Sequence, residues 1–108
     1  MKWIVETFGK IVDEELNALP ADMRAKFVHI AKLIENVGLE RVGAPYIKHI
    51  NGPLWEIRMI GKDGIARAIY VTSTGKRVVV VRVFIKKTQK TPRQEIELSL
   101  KRAKEIIK

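Results

Sequence analysis

The stretch that decides the fold is Arg77-Val-Val-Val-Val-Arg-Val-Phe-Ile85, RVVVVRVFI. β-branched residues dominate it, and their stiff side chains favour a pleated strand. A continuous apolar run predicts a central strand covered on both faces. Arg82 interrupts the run, and such a charge needs either a wet face or a partner.

Two further strands precede it. Leu54-Trp-Glu-Ile-Arg-Met-Ile60 alternates: Trp55, Ile57 and Met59 share one parity, Glu56 and Arg58 the other. That parity assigns Trp55 to the core. Lys62-Asp63-Gly64 marks a hairpin turn into a strand over Ile65–Thr72, which carries Arg67 inside it. Ser73–Lys76 turns again into Arg77. Upstream, Trp3–Phe8 reads as a short strand ended by Gly9. Val12, Leu16 and Leu19 then recur at helical spacing until Pro20. Met23, Phe27, Ile30, Ile34 and Val37 form a second apolar stripe, closed by Gly38 at a C-cap position. Pro20 is placed in that helix's first turn. Residues 38–53, rich in Gly and Pro, read as a connection. Downstream, Thr91 is the expected N-cap of a last helix, with Pro92 at its first position and Gln94 completing a capping box. Ile96, Leu100, Ala103 and Ile107 are its apolar stripe. The expected fold is an α+β domain over residues 1–108: a small antiparallel sheet with an N-terminal helical hairpin and a C-terminal helix, in the order βααβββα.

The 108 residues suit one domain. A hydrophobic fraction of 46% predicts a packed core rather than disorder. The absence of cysteine excludes disulfides, thiolate metal sites and thiol catalysis, and fits a reducing compartment. The N-terminal MKWIVETFGK lacks the apolar core of a signal peptide, and no run is long enough to span a membrane. The expected location is cytoplasmic.

Charge narrows the function. Residues 1–45 hold six Lys/Arg against seven Asp/Glu, and residues 46–108 hold fifteen against five. A net of −1 therefore faces a net of +10, which together make the +9 of the chain. Such segregation is a field source for polyanions, and nucleic acid is the expected partner. A mixed solubility surface is the plainer alternative. Metal chemistry is poorly supplied: His29 and His49 are the only histidines, twenty positions apart, and His29 reads as a partly buried helix residue. No Gly-x-Ser-x-Gly, Walker or GxGxxG motif occurs, so no cofactor and no metal are expected.

What remains is cationic. Arg58, Arg67 and Arg82 lie in three neighbouring strands, Lys48 precedes them, and Lys86 and Lys87 end the strongest strand. Each arginine alone is equally explained by a local salt bridge. Together they predict a basic concavity, in which guanidinium forks make paired hydrogen bonds to phosphate. Lys90 and Arg93 add charge near the last helix's start, where free N–H groups favour anions. Trp55, Tyr46 and Tyr70 are aromatic candidates for base stacking, and Tyr46, in the connection, is the freest.

Three segments carry a resemblance: Gly52-Pro-Leu-Trp-Glu-Ile-Arg58, Ala66-Arg-Ala-Ile-Tyr70, and Phe84-Ile-Lys-Lys-Thr-Gln-Lys-Thr-Pro-Arg-Gln-Glu-Ile96. They resemble the phage-derived HigB-like branch of the RelE/ParE toxin superfamily. Pro53 departs from that pattern by standing before Leu54. The resemblance implies a small antiparallel sheet with helices on one side. It implies the toxin of a type II toxin–antitoxin pair, covered by a cognate antitoxin protein and cutting mRNA on the ribosome. A ParE-like inhibitor of DNA gyrase and a non-catalytic nucleic-acid-binding module are the alternatives. For metal-independent cleavage, Arg67 and Arg58 are assigned to the phosphate oxygens. Lys48 or Glu56 is the candidate general base, with His49 as a substitute. By correspondence with the family, Lys87 falls near the leaving oxygen. Lys86, Lys90, Arg82, Arg93 and Tyr46 are the expected RNA contacts.

Overall fold

A computed structural model describes residues 2–86 and 90–106 of the chain. Strand β1 (Ile4–Thr7) leads into α1 (Lys10–Asn17) and α2 (Ala21–Val37). A single 3-10 turn over Leu39–Arg41 follows. Four strands come next, β2 (Ile47–Asn51), β3 (Leu54–Gly61), β4 (Gly64–Ser73) and β5 (Arg77–Lys86), and then α3 (Arg93–Ala103). They form one five-stranded sheet in the order β1-β5-β4-β3-β2. The α+β class and the helical hairpin agree with the sequence reading.

Four features differ from it. The connection over 38–53 contains a strand, β2, whose two apolar residues, Ile47 and Ile50, stand three apart and so hide its pairing with β3. The sheet is mixed, because β1 runs parallel to β5 while the other pairs are antiparallel. The helices cover both faces. One core joins Val12 of α1 and Met23, Phe27, Ile30 and Ile34 of α2 to Ile57, Met59, Ala66, Ala68, Tyr70, Val78, Val80 and Val83. The other packs Ile96, Leu100 and Ala103 of α3 against Leu54, Ile69, Val71, Val79 and Val81. Finally, α3 starts one residue later than expected. Pro92, not Thr91, occupies its N-cap position, without a side-chain cap, so no capping box forms with Gln94. Pro20 likewise sits at the N-cap of α2, just outside the helix. The expected stripe residue Ile107 lies outside the described residues.

One irregularity in β5 sets much of the geometry. Ile69 pairs with Arg82 and Tyr70 with Val80, so Val81 is an extra residue, a β-bulge. Before the bulge, Val78 and Val80 face the α2 side; after it, Val83 does. The register has slipped by one, and a one-residue slip exchanges the faces of everything downstream. Arg82, Phe84 and Lys86 therefore turn to the α3 face. Beyond Val80, β1 no longer covers the edge of β5. Side chains replace it: Glu15 Oε1 accepts the Val83 N–H at 2.9 Å, and Arg102 Nη1 donates to the Val81 carbonyl at 2.7 Å.

A second close approach fixes the β3–β4 hairpin to α2. Asp22 accepts the Met23 N–H at 3.0 Å and the Lys62 N–H at 2.9 Å. These bonds, the Lys62 amide foremost, hold its carboxyl below the usual carboxylate range. A Cβ on Gly61 would lie 2.7 Å from Asp22 Oδ2 and 2.9 Å from Met23 Cγ, so the position leaves no room for a side chain.

Candidate nucleic-acid interface and active site

The α3 face of the sheet gathers charged groups by register alone. Lys48 of β2 stands directly opposite Glu56 of β3, and Arg58 of β3 opposite Arg67 of β4. Arg67 in turn faces Phe84 of β5, and Lys86 lies two residues further along that strand. Cross-strand neighbours on one face sit close enough to interact. Glu56 is diagonal to Arg67, and Arg67 Nη1 lies 3.3 Å from Glu56 Oε2. Both are almost completely buried, at 5% and 2% exposure.

Beside them is a cavity of about 250 Å³, lined by Lys48, His49, Ile50, Glu56, Lys86, Lys90, Thr91 and Ile96. Thr91 is the link from α3: its Oγ1 lies 3.5 Å from Glu56 Oε1, at the outer limit of a hydrogen bond. The hydroxyl that the sequence assigns to a helix cap thus points at a carboxylate in the site.

The arginines are not satisfied. Arg67 Nε and Nη1 and Arg58 Nε are buried, and none has a hydrogen-bond partner among the described residues. Native interiors rarely leave such donors orphaned, because each costs about 1–3 kcal/mol. Burial pushes the Arg67 guanidinium below its ordinary range, opposed by Glu56 and reinforced by Arg58. Lys86 is likewise lowered, by burial first, then by the charge of Arg67, with Lys48 and Arg58 adding and Glu56 opposing. A crowd of cations around one buried carboxylate is an arrangement that an anion would relieve.

The remaining candidates are placed elsewhere. Arg82 is bound twice: Nε and Nη2 donate to Glu95 at 2.6 and 3.1 Å, and Nη1 lies 3.0 Å from Glu15 Oε2. Its guanidinium stacks over Phe84 at 5.7 Å. It ties β5 to α1 and α3 and does not join the cavity. Arg93 projects from α3, 91% exposed, and pairs with Glu97 one turn on. Tyr46 packs against the α2-side core, as does Tyr70, which is buried at 1% exposure with its phenol pushed up by burial. Neither reaches the basic face as a free ring. Trp55 departs from the core reading and is 41% exposed. His29 is exposed, and Lys87 lies outside the described residues.

Two contributions escape the sequence reading. Arg102 of α3 is buried, and it joins Glu15 at 3.0 Å as well as the Val81 carbonyl. The signal is its place one residue before Ala103 of the apolar stripe. His49 and Trp55 form an edge-to-face pair with ring centroids 4.9 Å apart. Among the described residues no group of three or more His, Asp or Glu side chains is placed to hold a metal. None of the described helices is long and apolar enough to cross a membrane.

A sheet of this topology, with α1 and α2 on one face and a cation-rich strand cluster on the other, is the RelE-like fold. The solved archaeal RelE–RelB complex from Pyrococcus horikoshii OT3 contains a chain that superposes with a TM-score of 0.61 at 19% identity, over 81% of this chain and 98% of that one. The chain belongs to the family described as phage-derived protein Gp49-like (DUF891), whose model matches residues 14–104. A comparison with curated proteins finds no match.

Proposed function

We propose that the protein is the toxin of a toxin–antitoxin pair and cuts mRNA on the ribosome without a metal. The observation that carries this reading is the buried Arg67, with two N–H-bearing nitrogens unbonded, beside Arg58, Glu56, Lys48 and Lys86. The RelE-like fold and the Gp49-like family support it.

In the proposed reaction the 2′-oxygen of one nucleotide attacks its own 3′-phosphorus. The 2′-hydroxyl proton passes to Glu56 or Lys48, which stand opposite each other across β2 and β3. Arg67 and Arg58 bind the nonbridging oxygens, where charge builds in the phosphorane, with donors already fixed and desolvated. Arginine is excluded as the base, since its delocalised guanidinium keeps its proton at neutral pH. The bond to the 5′-oxygen breaks and that oxygen takes a proton. Lys86, held below its ordinary range, is a readier donor than a solvated lysine, and Lys87 is the second candidate for this step. The products are a 2′,3′-cyclic phosphate and a 5′-hydroxyl. Lys90 and Arg93 then supply backbone charge along the approach.

The partner reading follows from the same field. The similar chain was solved in complex with RelB. An acidic antitoxin segment laid over the +10 half would neutralise it. Both the reaction and this partner place the protein in the cytoplasm.

The test is primer extension on mRNA bound to 70S ribosomes. Wild type is expected to give cuts inside translated codons, and Arg67→Ala none above background. Equal cutting by both proteins removes Arg67 from the reaction. Cleaved DNA accumulating with intact mRNA would replace the reading with gyrase inhibition.

A further inference from the structure

We infer that the cavity between the 3-10 turn and the α2 face of the sheet is a second binding site, for a small hydroxylated aromatic amine. It lies across the sheet from Arg67 and Lys86, and the inference does not rest on the reading above. The cavity measures about 470 Å³, a size usual for small-molecule sites. Both tryptophans of the chain line it, Trp3 and Trp55, together with Tyr70, Leu39, Val42 and Glu40. The register puts Trp55 directly opposite Tyr70 across β3 and β4. Tyr70 belongs to the α2-side core, and Trp3, just before β1, packs against that core. Leu39 and Val42 close the cavity from the 3-10 turn.

The lining selects the ligand in three ways. Three aromatic rings and two aliphatic side chains favour an aromatic body. Glu40 puts a carboxylate at the exposed rim, and Trp3 Nε1 fixes it by donating to Oε1 at 3.1 Å. A carboxylate accepts more than one hydrogen bond, so it can also take an ammonium, and indole rings add to the attraction for a cation. Its own backbone amide first, then the Trp3 indole and the charges of Lys76 and Arg41, hold the Glu40 carboxyl below its usual range. Lys76 and Arg41 act on that charge but do not line the cavity. Tyr70 is the deciding group. It is 1% exposed and lines the cavity, and its hydroxyl makes no hydrogen bond with any described residue. Native interiors rarely leave a hydroxyl so, and a hydroxyl on the ligand's ring would accept its hydrogen.

The experiment titrates the whole chain with tyramine and follows its two indole N–H signals by NMR. Tyramine is compared with phenethylamine, which lacks the ring hydroxyl, and with hydroxyphenylpropanoate, which carries a carboxylate in place of the ammonium. In wild type, tyramine should move both indole signals to saturation. Phenethylamine and hydroxyphenylpropanoate should each bind about tenfold more weakly. In Tyr70→Phe the two amines should bind alike, because the hydroxyl that tells them apart is gone. In Glu40→Gln the preference for tyramine over hydroxyphenylpropanoate should shrink. The inference is overturned if tyramine moves neither signal to saturation. It is overturned equally if wild type binds all three probes alike, for the cavity would then be an unselective apolar surface. Tyramine keeping its advantage in a folded Tyr70→Phe would overturn it too. None of these results bears on Arg67 or on the cutting of mRNA.

Discussion

Arg67 and Glu56 are held at a cost to stability, and removing both should make the protein more stable and inactive. The pair lies 3.3 Å apart, at 5% and 2% exposure, with Arg67 Nε and Nη1 unbonded. Each unmade bond to a buried donor costs about 1–3 kcal/mol. Replacing a buried ion pair by apolar residues of similar volume is commonly neutral or stabilising by about 1–4 kcal/mol. For Glu56→Leu with Arg67→Met we expect a gain in that range, and at about 4–8 °C per kcal/mol a melting temperature higher by about 4–30 °C. The double change removes one cation and one anion. The balance of Lys48, Arg58 and Lys86 around the cavity is left as it was, so the gain reports the pair and not general repulsion. The single change Arg67→Met should go the other way. It strands the Glu56 carboxylate, at about 3–5 kcal/mol, and relieves less than that. Thr91 Oγ1, 3.5 Å away, is too distant to compensate. Urea melts of wild type, both singles and the double give the coupling energy directly. Inorganic phosphate should raise the melting point of wild type and not of the double; at ten times its Kd the shift is worth about 1.4 kcal/mol. A double variant less stable than wild type by about 1 kcal/mol would refute the reasoning. It would mean that the pair is a structural brace and the orphaned donors carry no functional strain.

Other expectations concern the surroundings of the site. Lys86, titrated by NMR at its ε-carbon, should lose its proton below the ordinary lysine range of 10.5, and should move back towards it in Arg67→Met. Because the folded protein disfavours charged Lys86, its contribution to stability rises with pH between the lowered value and 10.5; Lys86→Met should flatten that limb. Arg82→Met should cost about 2–4 kcal/mol in melts, since it leaves Glu95 without its arginine and Glu15 with Arg102 and the Val83 amide alone, while the folded fraction cuts mRNA at the wild-type rate. A loss of cutting with stability intact would return Arg82 to the RNA surface. Gly61→Ala should destabilise by about 1–3 kcal/mol, because its Cβ meets Asp22 and Met23. An unchanged midpoint would show that α2 yields freely there.

Much of this arrangement was legible in the residues, and the exceptions have physical reasons. The valine run announced a central strand, and β5 is paired on both sides and buried on both faces. The helical hairpin followed from period and from Gly38, whose positive φ of 95° ends α2. Strand β2 was hidden because an edge strand with one wet face need not alternate; Ile47 and Ile50 each serve a different core. The parallel entry of β1 could not be read from four residues, since its direction is set by where α1 and α2 return the chain. Thr91 is a good cap by residue type, yet its hydroxyl turns to Glu56 and Pro92 takes the N-cap position of α3.

The site turns on the Val81 bulge. Pattern reading counts residues, and one uncounted residue in the ladder exchanges two faces. Without the slip, Lys86 would share the side of Val78 and Val80, against α2, and the α3 face would lose a cation. With it, Lys86 joins Arg67 and Arg58, and Arg82 comes within reach of Glu15 and Glu95. The same irregularity therefore sorts the arginines. It gives Arg82 two carboxylates and leaves Arg67 with a fraction of one. Of Arg58, Arg67 and Arg82, which look alike in sequence, the two with unbonded donors line the side of the sheet proposed to receive a phosphate, and the third holds that side's helix in place.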